Sequence, residues 1–355
     1  MLGWAMPRAA KSRTVPGELA LIESIRRSAA RIRPATHALR TGIGDDCAVL
    51  RPAAGHEICV TTDFSLEGAH FRRNWHPPQS AGHRCLARGL SDIAAMGAEP
   101  LAVFLSLAVP ATTPATWVDG FMAGLLSLAA RYRIPLAGGD TAQSPAPAGS
   151  RSAIVAADIV AIGHLPAGSA RLRSGAKPGD FLYVTGSLGG AAAELLALSR
   201  HPRKFRKLTQ AEPGHPHLYP EPRIAMGRRL RALASAMIDI SDGLSTDLTH
   251  ICQESGVAAI IDESALPVSG LALEAERSGA APSALHLALH GGEDYELLFA
   301  APEARRMPGS IAGVPVHRIG RLTPQRGKQP LIRLITAGGD DISIAPGGWE
   351  HFRKG

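Results

Sequence analysis

The sequence predicts an α/β fold of two domains, because short apolar runs and amphipathic segments alternate along a chain of 355 residues. The runs LAVFLSLAV (101–109) and AIVAADIVAIG (153–163) have the length and composition of buried strands. The segment TWVDGFMAGLLSLAARYR (116–133) repeats apolar residues at the spacing of an amphipathic helix. A chain of this length is long enough to bury two cores of ordinary size.

The predicted elements follow in a regular order. In the first half we expect a helix in GELALIESIRRSAARIR, a loop and strand in GIGDDCAVLRP, and a strand in EICVTTDFS that ends at Asp63. A helix in SAGHRCLARGLSDIAAMGAEP follows, and then the strand and helix named above. The last elements of this half are a strand running into a glycine turn in IPLAGGDT and a strand in SAIVAADIVAIGHL. The second half begins with a strand, a glycine turn and a helix in FLYVTGSLGGAAAELLAL, and repeats that order in MIDISDGLSTDLTHICQES. Further strands and turns are expected in GVAAIIDESALP, LHGGEDYELLFAAP and VHRIGRLTP.

A loop-like segment, LPAGSARLRSGAKPGD (165–180), separates the two halves. We therefore expect a disordered extension at residues 1–16, an N-terminal domain at 17–165 and a C-terminal domain at 166–355.

Composition argues against several classes of protein. The net charge is +7, but residues 1–40 contain eight Lys and Arg residues against two Glu residues, so the remaining chain is nearly neutral. No aromatic platform accompanies this basic segment, and we therefore expect no nucleic-acid partner. The apolar runs are too short or too interrupted to cross a membrane, and the N-terminus lacks the apolar core of a signal peptide. Four cysteines without a CxxC pair favour a cytoplasmic enzyme with reduced thiols.

Seven aspartates lie at predicted strand ends or loops, each near Gly, Ser or Thr. They are Asp45 and Asp46 in GDDCA, Asp63 in TTD, Asp92 in SDIAAMGA, Asp140 in GGDT, and Asp239 and Asp242 in DISDG. If these carboxylates converge, their mutual repulsion requires compensation. A hard divalent cation, Mg²⁺ shared with phosphates, is the simplest compensation. The pattern indicates an enzyme that handles phosphate.

The individual segments differ in how much they indicate. GDD and TTD are weak signals, although Thr62 and Asp63 offer oxygen ligands, and Thr61 either caps or fills a strand. Asp92 is more informative, because a carboxylate in an apolar helix is destabilising unless it is paired or bound to metal. The alternative for Asp92 is an exposed position on the polar face of the helix.

Two segments are suited to phosphate. In GGDT (138–141) the glycines let the backbone approach a phosphate, and Asp140 can hold a bridging cation. In DISDG, Ser241 or Asp242 can cap the following helix, and a helix N-terminus also attracts phosphate. The chain has no Walker lysine, since Lys177 precedes a proline, and VTGSLGG does not match a dinucleotide fingerprint.

Three residues are candidates for substrate recognition. His70 can meet a phosphate or a ring, and the alternative is a structural histidine. Glu293 follows two glycines in GGEDYELLF, where the alternative is a surface turn. Trp349 can stack on a heteroaromatic ring, or it can fasten the C-terminal tail to the core.

In their order, the segments GIGDDCAVL, TTDFSLEGAHF, LSDIAAMGAEP, GGDT, RSGAKPGD, IDISDGLSTDLTHI, GGEDYELLF and GWEHF resemble those of the thiamine-monophosphate kinase family. This family is part of the PurM-like, or aminoimidazole ribonucleotide synthetase-like, superfamily of ATP-dependent enzymes. The resemblance covers residues 17–355. It implies transfer of the ATP γ-phosphoryl group to thiamine monophosphate, which yields thiamine diphosphate. It also implies an N-terminal mixed sheet that forms a barrel-like interface in a homodimer, with a C-terminal α/β domain.

The resemblance assigns roles to individual residues. It implies Mg²⁺ binding by Asp46, Thr61, Thr62, Asp63, Asp92, Asp140, Asp239 and Asp242, with Asp45 as a neighbour. It implies ATP binding by Gly139, Asp140, Arg173 and Ser241, and binding of thiamine monophosphate by His70, Glu293 and Trp349. No catalytic nucleophile is expected, because a phosphate oxygen is already ionised and can attack in line.

The sequence departs from the family pattern after GGDT, where Ala142 and Gln143 replace Thr and Arg, and at 200–220, which looks like an insertion. A selenophosphate synthetase would carry a reactive cysteine before Cys47, and a hydrogenase-maturation relative would end in a cysteine-bearing tail. Aminoimidazole ribonucleotide synthetase would lack the GGEDYEL and GWEHF segments. A non-catalytic protein that binds ATP and Mg²⁺ is the alternative from another class.

Overall fold

The structure is a computed structural model that describes residues 17–146, 153–327 and 329–349. Its main features are a four-stranded sheet from the first half of the chain and an eight-stranded sheet from the second half. The mixed α/β architecture predicted from the sequence is thereby confirmed. The extension expected at residues 1–16 lies outside the described residues, and the division at 165 and 166 stays a prediction.

The first half forms the four-stranded sheet in the order β3-β6-β4-β5. β4 and β5 are parallel, with helix α3 between them in the chain, whereas β6 is antiparallel to both of its neighbours. The described strands form no closed barrel within one chain, so the barrel-like interface stays a prediction. The elements are α1 (Glu18–Ala29), β1 (Leu39–Thr41), β2 (Val49–Leu50), β3 (His56–Leu66), α2 (Pro78–Ala95), β4 (Glu99–Val109), α3 (Ala115–Tyr132), β5 (Leu136–Gln143) and β6 (Ala156–Pro166).

The second half forms a sheet in the order β14-β13-β9-β12-β7-β10-β8, and β11 pairs with β12. Its strand pairs are antiparallel except for β9 and β13. The elements are β7 (Phe181–Thr185), α4 (Gly190–Arg200), α5 (Pro202–Phe205), α6 (Ile224–Leu230), β8 (Ala236–Asp239), α7 (Leu244–Ser255), β9 (Val257–Asp262), α8 (Gly270–Arg277), α9 (Ala284–His290), β10 (Leu297–Ala301), β11 (Ser310–Ile311), β12 (Val314–Pro324), β13 (Ile332–Ile335) and β14 (Asp341–Ile344).

Two strands run further than the sequence predicted. β3 continues past Asp63 to Leu66, and the glycine turn expected in GGDT is wrong, because β5 continues through it. The ladder to β4 is maintained here, with Gly139 opposite Leu105. A Cβ atom at Gly139 would lie 1.9 Å from the carbonyl oxygen of Leu105. The glycine therefore permits a close approach of two strands rather than a turn.

Helix α2 lies between the two sheets and is buried along most of its length. Fourteen of its eighteen residues are buried, and its apolar side chains share one core with Met237 and Phe299 of the C-terminal sheet. On the α3 side, a Cβ atom at Gly82 would lie 1.8 Å from the carbonyl oxygen of Phe121, so only glycine allows this helix contact. Polar side chains on α2 are thus held inside the protein.

Among the helices of the described ranges, none combines the length and apolar character needed to cross a membrane.

Candidate active site

A cavity of about 170 Å³ opens between the two sheets, beside α2. It collects acidic side chains from distant parts of the sequence: Asp63 on β3, Asp92 on α2, Asp239 at the end of β8, Asp242 in the loop before α7, and Glu293. His70, Ser241 and Trp349 also line it. The structure therefore brings together many of the residues that the sequence singled out.

Asp63, Asp92 and Asp239 form a group that we call the carboxylate cluster. Burial raises the pKa of each, and the charge of Asp92 adds to the rise at the other two, so that the pKa is about 6 for Asp63 and about 7 for Asp239. Thr61 donates a hydrogen bond to Asp92, and Ser91 Oγ donates one to Asp239 Oδ2 at 2.6 Å. The carboxylates are thus held near one another at an electrostatic cost.

Arg88 is a cavity residue that the sequence analysis missed. Its guanidinium approaches Asp63 Oδ1 at 3.4 Å, the hydroxyl of Tyr295 at 3.3 Å and Glu293 Oε1 at 3.9 Å. The signal was present in the sequence, because charged residues recur on α2 at intervals of four, which places them on one face of the helix. Arg88 joins the carboxylate cluster to the opposite side of the cavity.

The loop before α7 turns its side chains into the cavity. Asp247 Oδ2 accepts hydrogen bonds from the backbone N–H groups of Asp242 (3.2 Å) and Gly243 (3.1 Å). The N-cap position is Gly243, which has no side chain to contribute. The predicted capping by Ser241 or Asp242 is therefore wrong, and both line the cavity at this helix N-terminus instead.

The segment GGEDYEL sends successive side chains to different places. Glu293 and Tyr295 have positive φ values of 58° and 49°, and both line the cavity. Asp294 points away and accepts hydrogen bonds from two backbone N–H groups at the start of α4 (2.7 and 3.1 Å). Glu296 pairs with Arg223. The alternative of a simple surface turn is wrong.

Glu293 is held by two partners on its two oxygens. Arg84 Nη2 approaches Oε1 at 2.5 Å, and His217 Nδ1 approaches Oε2 at 3.2 Å. Burial alone would raise the pKa of this carboxyl, but Arg84 and His217 outweigh it and hold the pKa well below its ordinary value. Glu293 is therefore an ionised carboxylate that faces the cavity.

The C-terminal tail covers part of the cavity. Trp349 N–H donates to the carbonyl oxygen of Asp242 at 3.0 Å, and Gly348 N–H donates to Thr246 Oγ1 at 3.2 Å. The tail thus fastens to the start of α7 through its backbone, while the Trp349 residue is 56% exposed at the cavity. On the other side, Leu66 N–H donates to His70 Nδ1 at 3.0 Å, which orients that ring.

Other predicted site residues lie elsewhere in a single chain. Because side chains alternate along β3, Thr62 lies on the sheet face opposite to Asp63. Asp63 and Asp140 are on β3 and β5, the two edge strands, with β6 and β4 between them. Three strand spacings correspond to roughly 14 Å. Asp45 and Asp46 are exposed and precede β2.

Gly139 and Asp140 line a smaller cavity of about 90 Å³ with apolar neighbours that include Ile43 and Leu105. Arg173, the remaining predicted ATP ligand, lies nearer the carboxylate cluster. Burial raises the pKa of Asp92 and Asp239, and the charge of Arg173 opposes that rise.

The donor set fits Mg²⁺ in one specific sense. In the described parts of the chain, no three His, Cys, Asp or Glu side chains stand close enough to form a ready-made metal site. Mg²⁺ commonly retains waters and takes only one or two protein carboxylates, together with substrate phosphates. The mutual repulsion in the carboxylate cluster is the kind of field that such a cation relieves.

The fold and the cavity have known counterparts. The family profile of the AIR synthase related protein N-terminal domain matches residues 44–165, and that of the corresponding C-terminal domain matches residues 177–331. The chain is therefore an AIR synthase related protein of two domains. Within that class, it is 37% identical to thiamine-monophosphate kinases of Salmonella typhimurium and Escherichia coli K12 over 326 residues, which are 91% of this chain and 95% of each relative. The chain belongs to the thiamine-monophosphate kinase family.

Solved structures agree with this assignment. Thiamine-monophosphate kinase from Stenotrophomonas maltophilia K279a is similar with a TM-score of 0.72 and 32% identity, over 92% of this chain and 98% of that one. AaThiL complexed with AMPPCP and TMP is similar with a TM-score of 0.69 and 29% identity, over 95% and 97%. The hydrogenase maturation protein HypE in complex with ATP, at 18% identity and a TM-score of 0.70 over 92% and 93%, shares the fold.

Proposed function

We propose that this protein transfers the γ-phosphoryl group of ATP to thiamine monophosphate, forming thiamine diphosphate and ADP. The observation that carries the proposal is the cavity in which the carboxylate cluster faces Glu293, His70 and Trp349. A phosphate-handling side and a side suited to a charged heteroaromatic ring thus share one space. Membership of the thiamine-monophosphate kinase family and similarity to AaThiL complexed with AMPPCP and TMP support it.

The cavity supports a direct, in-line transfer. Asp63, Asp92, Asp239 and Asp242 would hold Mg²⁺, which supplies the positive charge that lets two anionic phosphates approach. Ser241, at the N-terminus of α7, offers a polar group for ATP phosphate, and Arg173 adds positive charge nearby.

The acceptor would lie on the other side of the cavity. Glu293 presents a negative charge to its cationic ring, Trp349 an aromatic surface, and His70 an imidazole. The attacking group is a phosphate oxygen that is ionised at pH 7, so the reaction needs alignment more than a strong base. A phosphohistidine or phosphoaspartate trapped during turnover would contradict direct transfer.

The proposal includes a homodimer whose partner completes the site. The four-stranded sheet exposes Ile58 (43%), Val60 (60%) and Phe64 (61%) on the face opposite to α2. Exposed apolar side chains on one sheet face favour burial against a second copy. Such a copy would supply the partner's Asp140 and Gly139 to the carboxylate cluster, whereas binding of Mg²⁺ by Asp45, Asp46 and Thr62 stays a prediction.

The activity test is chromatography of thiamine diphosphate formed from ATP, Mg²⁺ and thiamine monophosphate. We expect product from the monophosphate, none from unphosphorylated thiamine, and loss of at least about a hundredfold in Asp63→Asn. Asp119→Asn on the exposed side of α3 is the matched control and should retain activity. ATP binding without any thiamine diphosphate would instead indicate a non-catalytic nucleotide-binding protein.

The dimer is tested by mixing two inactive variants, Asp63→Asn and Asp140→Asn. If each site takes one aspartate from each chain, a mixed dimer contains one intact site. Subunit exchange should then restore about a quarter of wild-type activity. No restoration after verified exchange would mean that Asp140 does not complete the site across a dimer.

A further inference from the structure

A buried chain of polar side chains leads to Glu293 from outside the cavity. It contains His76, near the start of α2, and His217, from the His- and Pro-rich segment that resembled an insertion. His76 Nε2 and His217 Nε2 are 3.0 Å apart, and His217 Nδ1 is 3.2 Å from Glu293 Oε2. His217 is 1% exposed and His76 is 4% exposed, so water does not compete for these contacts.

The backbone around His217 is fixed from two sides. Glu194 Oε2 on α4 accepts hydrogen bonds from the N–H groups of His217 (2.8 Å) and Leu218 (3.2 Å). On α2, Ser80 Oγ donates to the carbonyl oxygen of Leu218 at 2.8 Å, and Arg84 donates to that of His217. The imidazole of His217 therefore has a defined position relative to the cavity.

The contacts admit two directions of donation, of which one ends on Glu293. In that direction Arg72 N–H donates to His76 Nδ1 at 3.2 Å, and the proton of neutral His76 is on Nε2. His76 Nε2–H then donates to His217 Nε2, and His217 Nδ1–H donates to Glu293 Oε2. In the other direction Arg84 Nη1, 3.1 Å from His217 Nδ1, donates to that nitrogen, His217 Nε2–H donates to His76 Nε2, and His76 Nδ1–H donates to the carbonyl oxygen of Arg72 at 3.3 Å. That direction places the Nδ1 lone pair of His217 3.2 Å from an ionised carboxylate oxygen, so the negative charge of Glu293 favours the first direction. Burial lowers the pKa of both imidazoles, to about 2 for His76, so both are neutral near pH 7.

We propose that His217, oriented by His76, is a positioning residue that fixes the Glu293 carboxylate toward the acceptor substrate. The inference rests on the proposed function and deepens it. Arg84 and, at 3.9 Å, Arg88 approach the same carboxylate oxygen, and contacts to that oxygen alone leave rotation about the carboxyl bond free. His217 holds the other oxygen, so the plane of the carboxylate is set. A carboxylate with a fixed plane binds a cationic ring or an amino group best in one orientation relative to that plane.

Two substitutions at one position separate orientation from packing. In Asn the amide nitrogen lies near the place of Nδ1, so His217→Asn keeps the donor to Glu293. In Gln it lies near the place of Nε2, so His217→Gln contacts His76 but loses that donor. We expect the KM for thiamine monophosphate to rise about tenfold in His217→Gln and at most about threefold in His217→Asn. The kcat and the KM for ATP should stay within about twofold of wild type in both.

Equal KM values in the two variants would overturn the inference, since a purely structural role would affect both alike. Wild-type protein without kinase activity would refute the proposed function instead. The second measurement does not depend on turnover: ¹⁵N-histidine NMR of the wild-type protein assigns tautomers. Nδ1–H on His217 and Nε2–H on His76 would support the chain, and the reverse pair of tautomers would overturn it.

Discussion

Replacing Asp63 with Asn should stabilise the metal-free protein above pH 6, although the same change should abolish activity. Burial and the charge of Asp92 raise the pKa of Asp63 to about 6, from an ordinary value of 3.8. A carboxyl with a raised pKa stabilises the fold at pH values below 3.8, where it is protonated in both states. That stabilisation is lost as the pH rises through 6.

The magnitude follows from the shift. A difference of about two pKa units corresponds to roughly 3 kcal/mol of unfolding free energy, at about 1.4 kcal/mol per unit. This net value already includes the charge interaction with Arg88 at 3.4 Å, which opposes the rise in the pKa. For a chain of this size, the melting temperature at pH 8 should rise by roughly 5 °C.

The assay is thermal unfolding in EDTA between pH 4 and pH 8, repeated with Mg²⁺. Wild-type protein should lose stability as the pH rises and regain it when Mg²⁺ is added at pH 8. Asp63→Asn should show a flatter pH dependence and a smaller gain from Mg²⁺, whereas Asp119→Asn should follow wild type. A metal-free Asp63→Asn variant that melts below wild type at pH 8 would refute the reasoning.

Three further predictions concern packing and capping. Gly348→Ala would place a Cβ atom 1.9 Å from a backbone carbonyl at the start of α7. We therefore expect a raised KM for thiamine monophosphate and an unchanged melting temperature. The control Gly338→Ala, whose Cβ would have no atom nearer than 3.7 Å, should match wild type in the same kinetics. Gly82→Ala should lower the free energy of unfolding by about 3 kcal/mol or more in urea, because its Cβ would overlap α3. Gly270→Ala, whose Cβ would meet nothing within 4 Å, is the control. Equal stabilities of the two variants would contradict the close contact between α2 and α3. Asp294→Ala should destabilise by about 1–3 kcal/mol through two unpaired N–H groups, and Asp294→Asn, which keeps one acceptor, should lose less in the same measurement.

The sequence was sufficient to predict the α/β class and to single out seven aspartates, of which Asp63, Asp92 and Asp239 line one cavity. The signals were local: each acid stands beside an apolar run, and Asp92 lies in a helix otherwise suited to burial. The sequence did not predict the order of the strands in the sheet. Nothing in the segments EICVTTDFS and IPLAGGDT shows that β6 and β4 lie between β3 and β5. That order separates Asp140 from Asp63 in one chain.

The sequence also did not predict the contacts between segments that are distant along the chain. His217 meets Glu293 only because the segment before α6 packs on α2, and a lone histidine gives no sign of its partner. Arg84 and Arg88 were more accessible, since they precede Asp92 at intervals of four along a buried helix. Their charges needed partners inside the protein, and that requirement was readable from spacing and burial together.

The position of Arg88 has a thermodynamic consequence. Its guanidinium lies between Asp63 at 3.4 Å and Glu293 at 3.9 Å. When Asp63 loses its negative charge, Arg88 is attracted less strongly to Asp63. More of the positive charge of Arg88 then acts on Glu293. Occupancy at the two ends of the cavity is thereby linked, and linkage is reciprocal: each ligand changes the affinity of the other by the same factor. One arginine thus couples the affinities of the two substrates, whichever of them binds first.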